Sequence, residues 1–249
     1  MLSKSQINLL KSLQHKKFRR EQGFFLVEGH KSIAEFINSA YRTEAIYHTP
    51  SFDPKVLKLS QKMNLCEISV TDLGKISSLK TPQDVVAQIK TPEWPVLNHE
   101  QLKGKFSLVL DGIQDPGNMG TIIRIADWFG IGNIICSEDT VDAYNPKVVQ
   151  ASMGSLARVQ VYYTDLSTLL ASIKLPIFGA LLKGENIYNT DFGNEGLVVM
   201  GNEGNGISAG IEKLVTKAVT IPRIGKAESL NAGIATALFC SEITRKTSK

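Results

Sequence analysis

Apolar and polar positions along this chain repeat with two periods, and the period switches many times between strand-like and helix-like spacing. Residues 3–14 carry Ile7, Leu10 and Leu13 on one helical stripe. A short apolar run at 24–27 then ends at Glu28-Gly29, which predicts a strand, and a helix is expected near 31–38. Further short strands are expected at 45–47, 65–70 and 85–89, with helices at 53–62 and 72–79. Residues 1–90 therefore predict a small α/β domain.

The pattern weakens over 91–105, where Thr91-Pro92-Glu93-Trp94-Pro95 opens a stretch poor in aliphatic residues. That composition predicts a linker. A second, more regular region follows at 106–249. Continuous apolar runs predict strands at 106–110, 134–136, 159–162, 177–181, 197–200 and 218–221. Helices are expected at 118–129, 146–153, 166–173 and 211–215, and a last one from about 230 to 245. Strands without alternation, separated by helices, imply a parallel sheet covered on both faces. Ligands of such sheets bind at the carboxyl ends of the strands, so the loops after strands are where chemistry is expected.

Composition narrows the setting. The chain has 249 residues with 43% hydrophobic content, enough for one large core or two small ones. No apolar run approaches the roughly 20 residues that span a bilayer, and the N-terminal stretch has no secretory apolar core. Membrane residence and secretion are not expected. Three scattered cysteines, Cys66, Cys136 and Cys240, make neither a disulfide framework nor a metal cluster. His15, His30, His48 and His99 show no ligand spacing, so no metal is expected. A reducing, cytoplasmic setting fits. The net charge is only +4, but the first 20 residues hold six cations and no acid: Lys4, Lys11, Lys16, Lys17, Arg19 and Arg20. Such a cluster suits a phosphate backbone or forms a solvated helix face.

Three loops after predicted strands stand out. The first, 110–120, opens a helix that carries Arg124, with Ile122, Ile125, Ala126 and Phe129 on the predicted buried stripe. Arg124 falls off that stripe, near a helix start where the macrodipole disfavours a cation. Asn118 reads either as the helix cap or as a polar group beside that arginine. The second loop follows the apolar run 197–200 and reads Gly201-Asn202-Glu203-Gly204-Asn205-Gly206. Its G-x-x-G-x-G spacing is not the dinucleotide fingerprint, which counts against a nucleotide-dependent oxidoreductase. Its glycines permit close backbone approach to a ligand, and Glu203 disfavours a polyphosphate. The third, 219–233, stops a strand at Pro222 and reaches Ser229-Leu230-Asn231 at the start of the last helix. Ser229 reads as a cap of that helix or as a site residue. Asn231 and Gly233 weaken a helix start, a local cost often found at functional sites.

Together the three segments resemble the signature motifs of the SpoU (TrmH-type) RNA 2′-O-ribose methyltransferases of the SPOUT superfamily. The first motif is matched by Asn118, Gly120 and Arg124. The second is matched by Gly201-Asn202-Glu203-Gly204 and Gly206, and the third by Ile221-Pro222, Gly225 and Ser229-Leu230-Asn231. Residues 151–155 are also similar to the family, and Gly233 departs from the serine or other small residue of many relatives. The N-terminal region resembles, more weakly, a substrate-binding domain with a fold like ribosomal protein L30e.

The resemblance implies an α/β SPOUT domain with a deep trefoil knot, an exception to the near-absence of knots. It implies S-adenosylmethionine in the knot, lined by Gly201, Ile221, Leu230 and the strand end at Leu181. It also implies a homodimer, and assigns Asn118, Arg124, Glu203, Ser229 and Asn231 to the active site. The substrate would be RNA, most specifically ribosomal RNA, with transfer RNA and a catalytically silent assembly factor as alternatives. Lys16, Lys17, Arg19 and Arg20 would contact its phosphates.

Overall fold

The computed structural model describes residues 2–59 and 63–247. They form two units: Met1–Glu93 together with Asp142–Arg158, and Trp94–Val141 together with Val159–Lys249.

The first unit opens with α1 (Lys4–Ser12), started by a capping box in which Ser3 and Gln6 exchange side-chain and backbone bonds. The stripe expected to be one helix is two. A separate α2 (Lys16–Gln22) follows, closed by Gly23 in the left-handed conformation at φ 70°. The break has a donor of its own: the Arg19 guanidinium donates to the carbonyls of Leu13 and Gln14, both at 2.9 Å. Then come β1 (Phe24–Glu28), α3 (His30–Ile37), β2 (Thr43–His48), β3 (Leu65–Glu67), α4 (Val70–Ile76) and β4 (Val85–Lys90). The helix expected at 53–62 is only a 3-10 turn at Pro54–Leu57, and 60–62 lie outside the described residues. The sheet order is β1-β4-β2-β3, antiparallel except for β2 beside β3. Alternation along β1 sends Leu26 to the core with Leu10, Leu13, Leu73 and Val86. Phe25 packs edge-on against Phe36 and Tyr41, which are buried as well.

The second unit begins inside the expected linker. Asn98 and Gln101 form a capping box that starts α5 (His99–Leu102), and Leu102 is fully buried. The sheet strands are β5 (Phe106–Asp111), β6 (Asn133–Cys136), β7 (Gln160–Tyr163), β8 (Ile177–Asn186), β9 (Gly196–Gly201) and β10 (Lys217–Thr220). Their order is β10-β8-β9-β5-β6-β7, parallel throughout, as the unbroken apolar runs predict. On one face Val109, Ile135, Leu197 and Val199 bury against α8 (Leu166–Ser172) and α9 (Ala209–Glu212). On the other, α6 (Pro116–Trp128) packs on β6, α10 (Ala232–Thr247) packs on β9, and the two helices pack on each other.

Two features depart from the sequence reading. Strand β8 runs to Asn186, well past the expected 181, and its pairing with β10 jumps from Ala218–Gly179 to Val219–Glu185. The residues skipped by that jump, 180–184, form an irregularity within β8. The helix expected at 146–153, α7 (Pro146–Ser152), packs on β1 of the first unit although its sequence lies between β6 and β7.

Candidate active site

The carboxyl ends of β5, β9 and β10 carry the three loops. At the first, Asp115 is the cap of α6: its side chain accepts the Asn118 backbone N–H at 2.7 Å. Asn118 is therefore not the cap, and its side-chain amide is left for other partners. The buried face of α6 is Met119, Gly120, Ile122, Ile123 and Ala126, while Ile125 and Phe129 of the expected stripe are only half-buried. Arg124 lies on the exposed side and has no side-chain partner among the described residues.

The second loop is organised by Asn202. Its Oδ1 accepts from the N–H groups of Gly204 and Asn205 at 2.9 and 3.0 Å. Its Nδ2 donates to the Gly112 carbonyl at 2.7 Å, which ties the second loop to the first. Gly201 is demanded by close passage of the chain on itself. A Cβ there would lie 2.2 Å from both the Gly206 carbonyl carbon and the Ile207 nitrogen. Asp111 at the end of β5 adds a third tie, accepting the Ser208 N–H at 2.7 Å.

In the third loop Asn231 caps the last helix. Its Oδ1 accepts from Gly233 at 2.9 Å and Ile234 at 3.3 Å, so the helix begins at Ala232 rather than 230. Ser229 is not the cap; it is exposed and has no partner among the described residues. Arg223 braces the loop by donating to the Ala227 carbonyl at 3.2 Å.

The loops meet through Asn118. Its Nδ2 donates to Glu203 Oε1 at 2.8 Å, and its Oδ1 accepts from Asn231 Nδ2 at 2.8 Å. One residue from each motif thus joins a single polar chain. Beside it opens a cavity of about 650 Å³. Its walls include all four residues expected at the cofactor, Leu181, Gly201, Ile221 and Leu230, together with Glu203 and Ser229. Leu181 is one of the residues that the register jump of β8 passes over. Asn118, Asn231 and Arg124 are not on the wall. The size suits a nucleoside-sized ligand, and the lining is mostly apolar with a few polar groups.

Sequence reasoning missed the organising roles of Asn202, Asp111 and Asp115, and the cavity floor supplied by Met200, Ala235 and Phe239. Asp115 before a Pro-Gly pair and Asn202 within a glycine-rich turn were readable as cap and turn signals.

Of the four cations expected at RNA phosphates, Lys16, Lys17 and Arg20 are exposed. Arg19 is not. It is 4% exposed and locked to Asp142 by two bonds of 2.6 and 3.0 Å, so it is withdrawn from any phosphate. Helical spacing explains this, since Arg19 lies on the inward face of α2 beside Leu13. Among the described residues no cluster of His, Cys, Asp or Glu could hold a metal ion, and no helix is long and apolar enough to cross a membrane.

A parallel sheet whose strand-end loops converge on a nucleoside-sized cavity and a shared Glu–Asn–Asn chain defines a ligand-binding α/β domain of the SPOUT kind. The chain belongs to the SpoU rRNA methylase family, whose sequence profile matches residues 105–241. Residues 4–87 match the profile of an MRM3-like substrate-binding domain. The chain is 28% identical over 234 residues to the 23S rRNA guanosine 2′-O-methyltransferase RlmP of Bacillus subtilis, covering 92% of each. It superposes on the structure of a TrmH-family protein from Porphyromonas gingivalis with a TM-score of 0.88 at 37% identity, covering 99% of both chains. An AdoMet-bound rRNA methyltransferase from Sinorhizobium meliloti superposes with a TM-score of 0.87 at 25% identity, over 99% of this chain and 96% of that one.

Proposed function

We propose that this chain methylates a ribose 2′-hydroxyl in structured ribosomal RNA, using S-adenosylmethionine held in the 650 Å³ cavity. The observation that carries the reading is the Glu203–Asn118–Asn231 chain, which joins all three family motifs beside that cavity. The names of RlmP and of the Sinorhizobium protein support the substrate class and the cofactor.

The residues present fit that cofactor. Gly201 leaves backbone where any side chain would collide with its own loop, and Leu181, Ile221 and Leu230 offer apolar surface to a nucleoside. Glu203 and Glu228 on the wall put negative charge near a ligand that carries a cation. When bound, S-adenosylmethionine supplies a methyl group already activated on a sulfonium. The protein's task is then positioning, which is worth about 7–11 kcal/mol in well-oriented reactions.

Arg124 is suited to clamp the phosphate beside the target ribose and to stabilise the oxyanion as the hydroxyl proton leaves. A guanidinium keeps its proton, so water or that phosphate accepts the one released. Ser229, whose hydroxyl has no partner among the described residues, and Asn231 orient the ribose, while Glu203 holds Asn118 in place. Lys16, Lys17 and Arg20 guide the RNA backbone to the N-terminal domain.

The same reading includes the trefoil knot and a homodimer working in the cytoplasm. Exposed apolar side chains in the second unit support the dimer: Trp128 at 84%, Leu182 at 75% and Ile234 at 55%. The three free thiols suit a reducing compartment.

The test incubates purified protein with methyl-labelled S-adenosylmethionine and RNA from a strain lacking the gene, then digests to nucleosides for mass spectrometry. A 2′-O-methylnucleoside in ribosomal RNA that vanishes with Arg124→Ala is the expected result. Methylation of transfer RNA instead would move the substrate, and cofactor binding without any transfer would make the chain a silent RNA-binding protein.

A further inference from the structure

Residues Asp142–Arg158 leave the second unit after β6, fold with the first unit, and return to the second at β7. The way they are held there is elaborate. At one end the Arg19 guanidinium grips Asp142 Oδ2 at 2.6 and 3.0 Å, with the two side chains only 4% and 14% exposed. Asp142 Oδ1 accepts the Tyr144 N–H at 3.0 Å, which sets that ring. The Tyr144 ring lies 4.7 Å from Phe25, in the aromatic group formed by Phe25, Phe36 and Tyr41. In the middle, α7 packs on β1. At the far end Gly154, at φ +89°, brings its backbone against α3 so closely that a Cβ would sit 2.7 Å from Glu35 Cγ. Arg158 then pairs with Glu35. Met153, at φ +49°, takes up a strained left-handed conformation that turns the chain toward this contact.

A segment needed only to connect β6 to β7 requires none of this. Short loops serve that purpose in α/β sheets. Here two ion pairs, an aromatic contact and a glycine seat bind it within the first unit, and it is continuous with two strands of the methyltransferase sheet.

We infer that Asp142–Arg158, which folds with the first unit and continues at both ends into the methyltransferase sheet, is an arm that serves as a covalent anchor of the RNA-binding unit, with Arg19, Phe25 and Glu35 as positioning residues for methyl transfer. The inference rests on the function proposed above. A unit held at three chain connections loses much less freedom when RNA bridges to the catalytic loops than one joined by a single linker. The anchored unit therefore offers its bound RNA at a higher effective concentration. No residue of the arm is on the wall of the cofactor cavity, whose lining runs from Ala180 to Phe239.

The test compares the full-length protein with the Asp142→Asn/Tyr144→Ser variant, on ribosomal RNA from a strain lacking the gene. Hydrogen exchange reports whether 142–158 is released while β4 stays protected. The expected result is a released arm, S-adenosylmethionine affinity within about twofold, and kcat/KM for RNA lowered about tenfold or more, mostly through KM. A released arm with unchanged kcat/KM overturns the inference, and so does an arm that stays protected in this variant. Should that variant not fold, the charge reversals Glu35→Arg and Arg158→Glu serve instead. Each alone faces like charges at the arm's end and lowers kcat/KM, and the two together restore it. Failure of the pair to restore it overturns the inference. Absence of methyl transfer by the unaltered protein is a separate outcome, and it counts against the proposed function itself.

Discussion

The side chain of Asn118 is bonded at both ends, its Nδ2 donating to Glu203 and its Oδ1 accepting from Asn231, each at 2.8 Å. This polarity makes the three substitutions at its ends unequal. Glu203→Gln still offers an amide oxygen to Asn118, so it is expected to cost little. Glu203→Ala leaves the Asn118 amide without its charged partner, and hydrogen bonds to charged groups are worth about 1.5–3 kcal/mol, or roughly 10–100-fold in rate. Asn118→Asp is expected to be worst, since it sets a carboxylate against that of Glu203 while the donor disappears. Single-turnover rates of the three variants, with S-adenosylmethionine affinity as the control, check the order Gln, Ala, Asp.

Arg124 shares none of those bonds, and its exposed guanidinium is aimed at no group of the described protein. Its role is therefore expected to appear only with RNA present. Arg124→Ala should lower kcat about 100-fold or more, in line with the loss of a charge-stabilising group, and leave cofactor affinity unchanged. Arg124→Lys keeps the charge but not the two-pronged donor geometry, so it should fall between. Equal cofactor-affinity losses in both variants would place Arg124 in the cavity instead.

The cations of α2 divide in two. Neutralising Lys16, Lys17 and Arg20 together is expected to lower the slope of log affinity for RNA against log salt by about 2–3, at 0.7–0.9 for each phosphate contact. Arg19→Ala belongs to a different class. It strips Asp142 of its buried partner and the Leu13 and Gln14 carbonyls of their donor, and breaking a buried pair costs about 3–5 kcal/mol. The Arg19 variant should therefore melt at lower temperature, while the triple variant keeps its Tm and loses salt dependence.

Much of this was legible in the sequence, for reasons that differ by residue. The parallel sheet was readable because its strands are buried on both faces and appear as unbroken apolar runs, as at 197–200. The site was readable because the strand-end loops carry glycines and amides that no core explains. What escaped was whatever depends on a distant partner. The inward face of α2 cannot be told from its outward face when four of its residues are cations, so Arg19 looked like Lys16. Residues 142–158 look like an ordinary stretch of strand and helix, and only tertiary packing shows that they fold with the first unit. Asn118 looked like a cap because the true cap, Asp115, lies three residues earlier and before a proline.

The glycines of the site should also sort by space. At Gly201 an added methyl meets backbone at 2.2 Å on the facing arm of its own loop, and backbone cannot yield as a side-chain tip can. Gly201→Ala is expected to disorder the loop and abolish cofactor binding. At Gly225, on the same cavity, a Cβ meets nothing within 4 Å, so Gly225→Ala should leave cofactor binding unchanged. Isothermal titration with S-adenosylmethionine on both variants separates the two.

The thiols give the last expectation. Burial pushes the Cys240 thiol up to about 12 and the Cys136 thiol higher still, so neither forms thiolate near neutral pH. Thiolate is the reactive form, and both side chains are closed to solvent as well. Cys66, on β3 at the margin of the first unit, is partly exposed. Iodoacetamide on the native protein at pH 7.5 should therefore add one carbamidomethyl group, at Cys66, and denaturation should raise that to three. The sign of the pH effect is fixed by the raised values: Cys136 and Cys240 stay protonated, and so unlabelled, through neutral and mildly alkaline pH. Intact-mass measurement along a pH series from 7 to 9 checks this, and early labelling of Cys240 would mean that the packing of α10 opens on the timescale of the reaction.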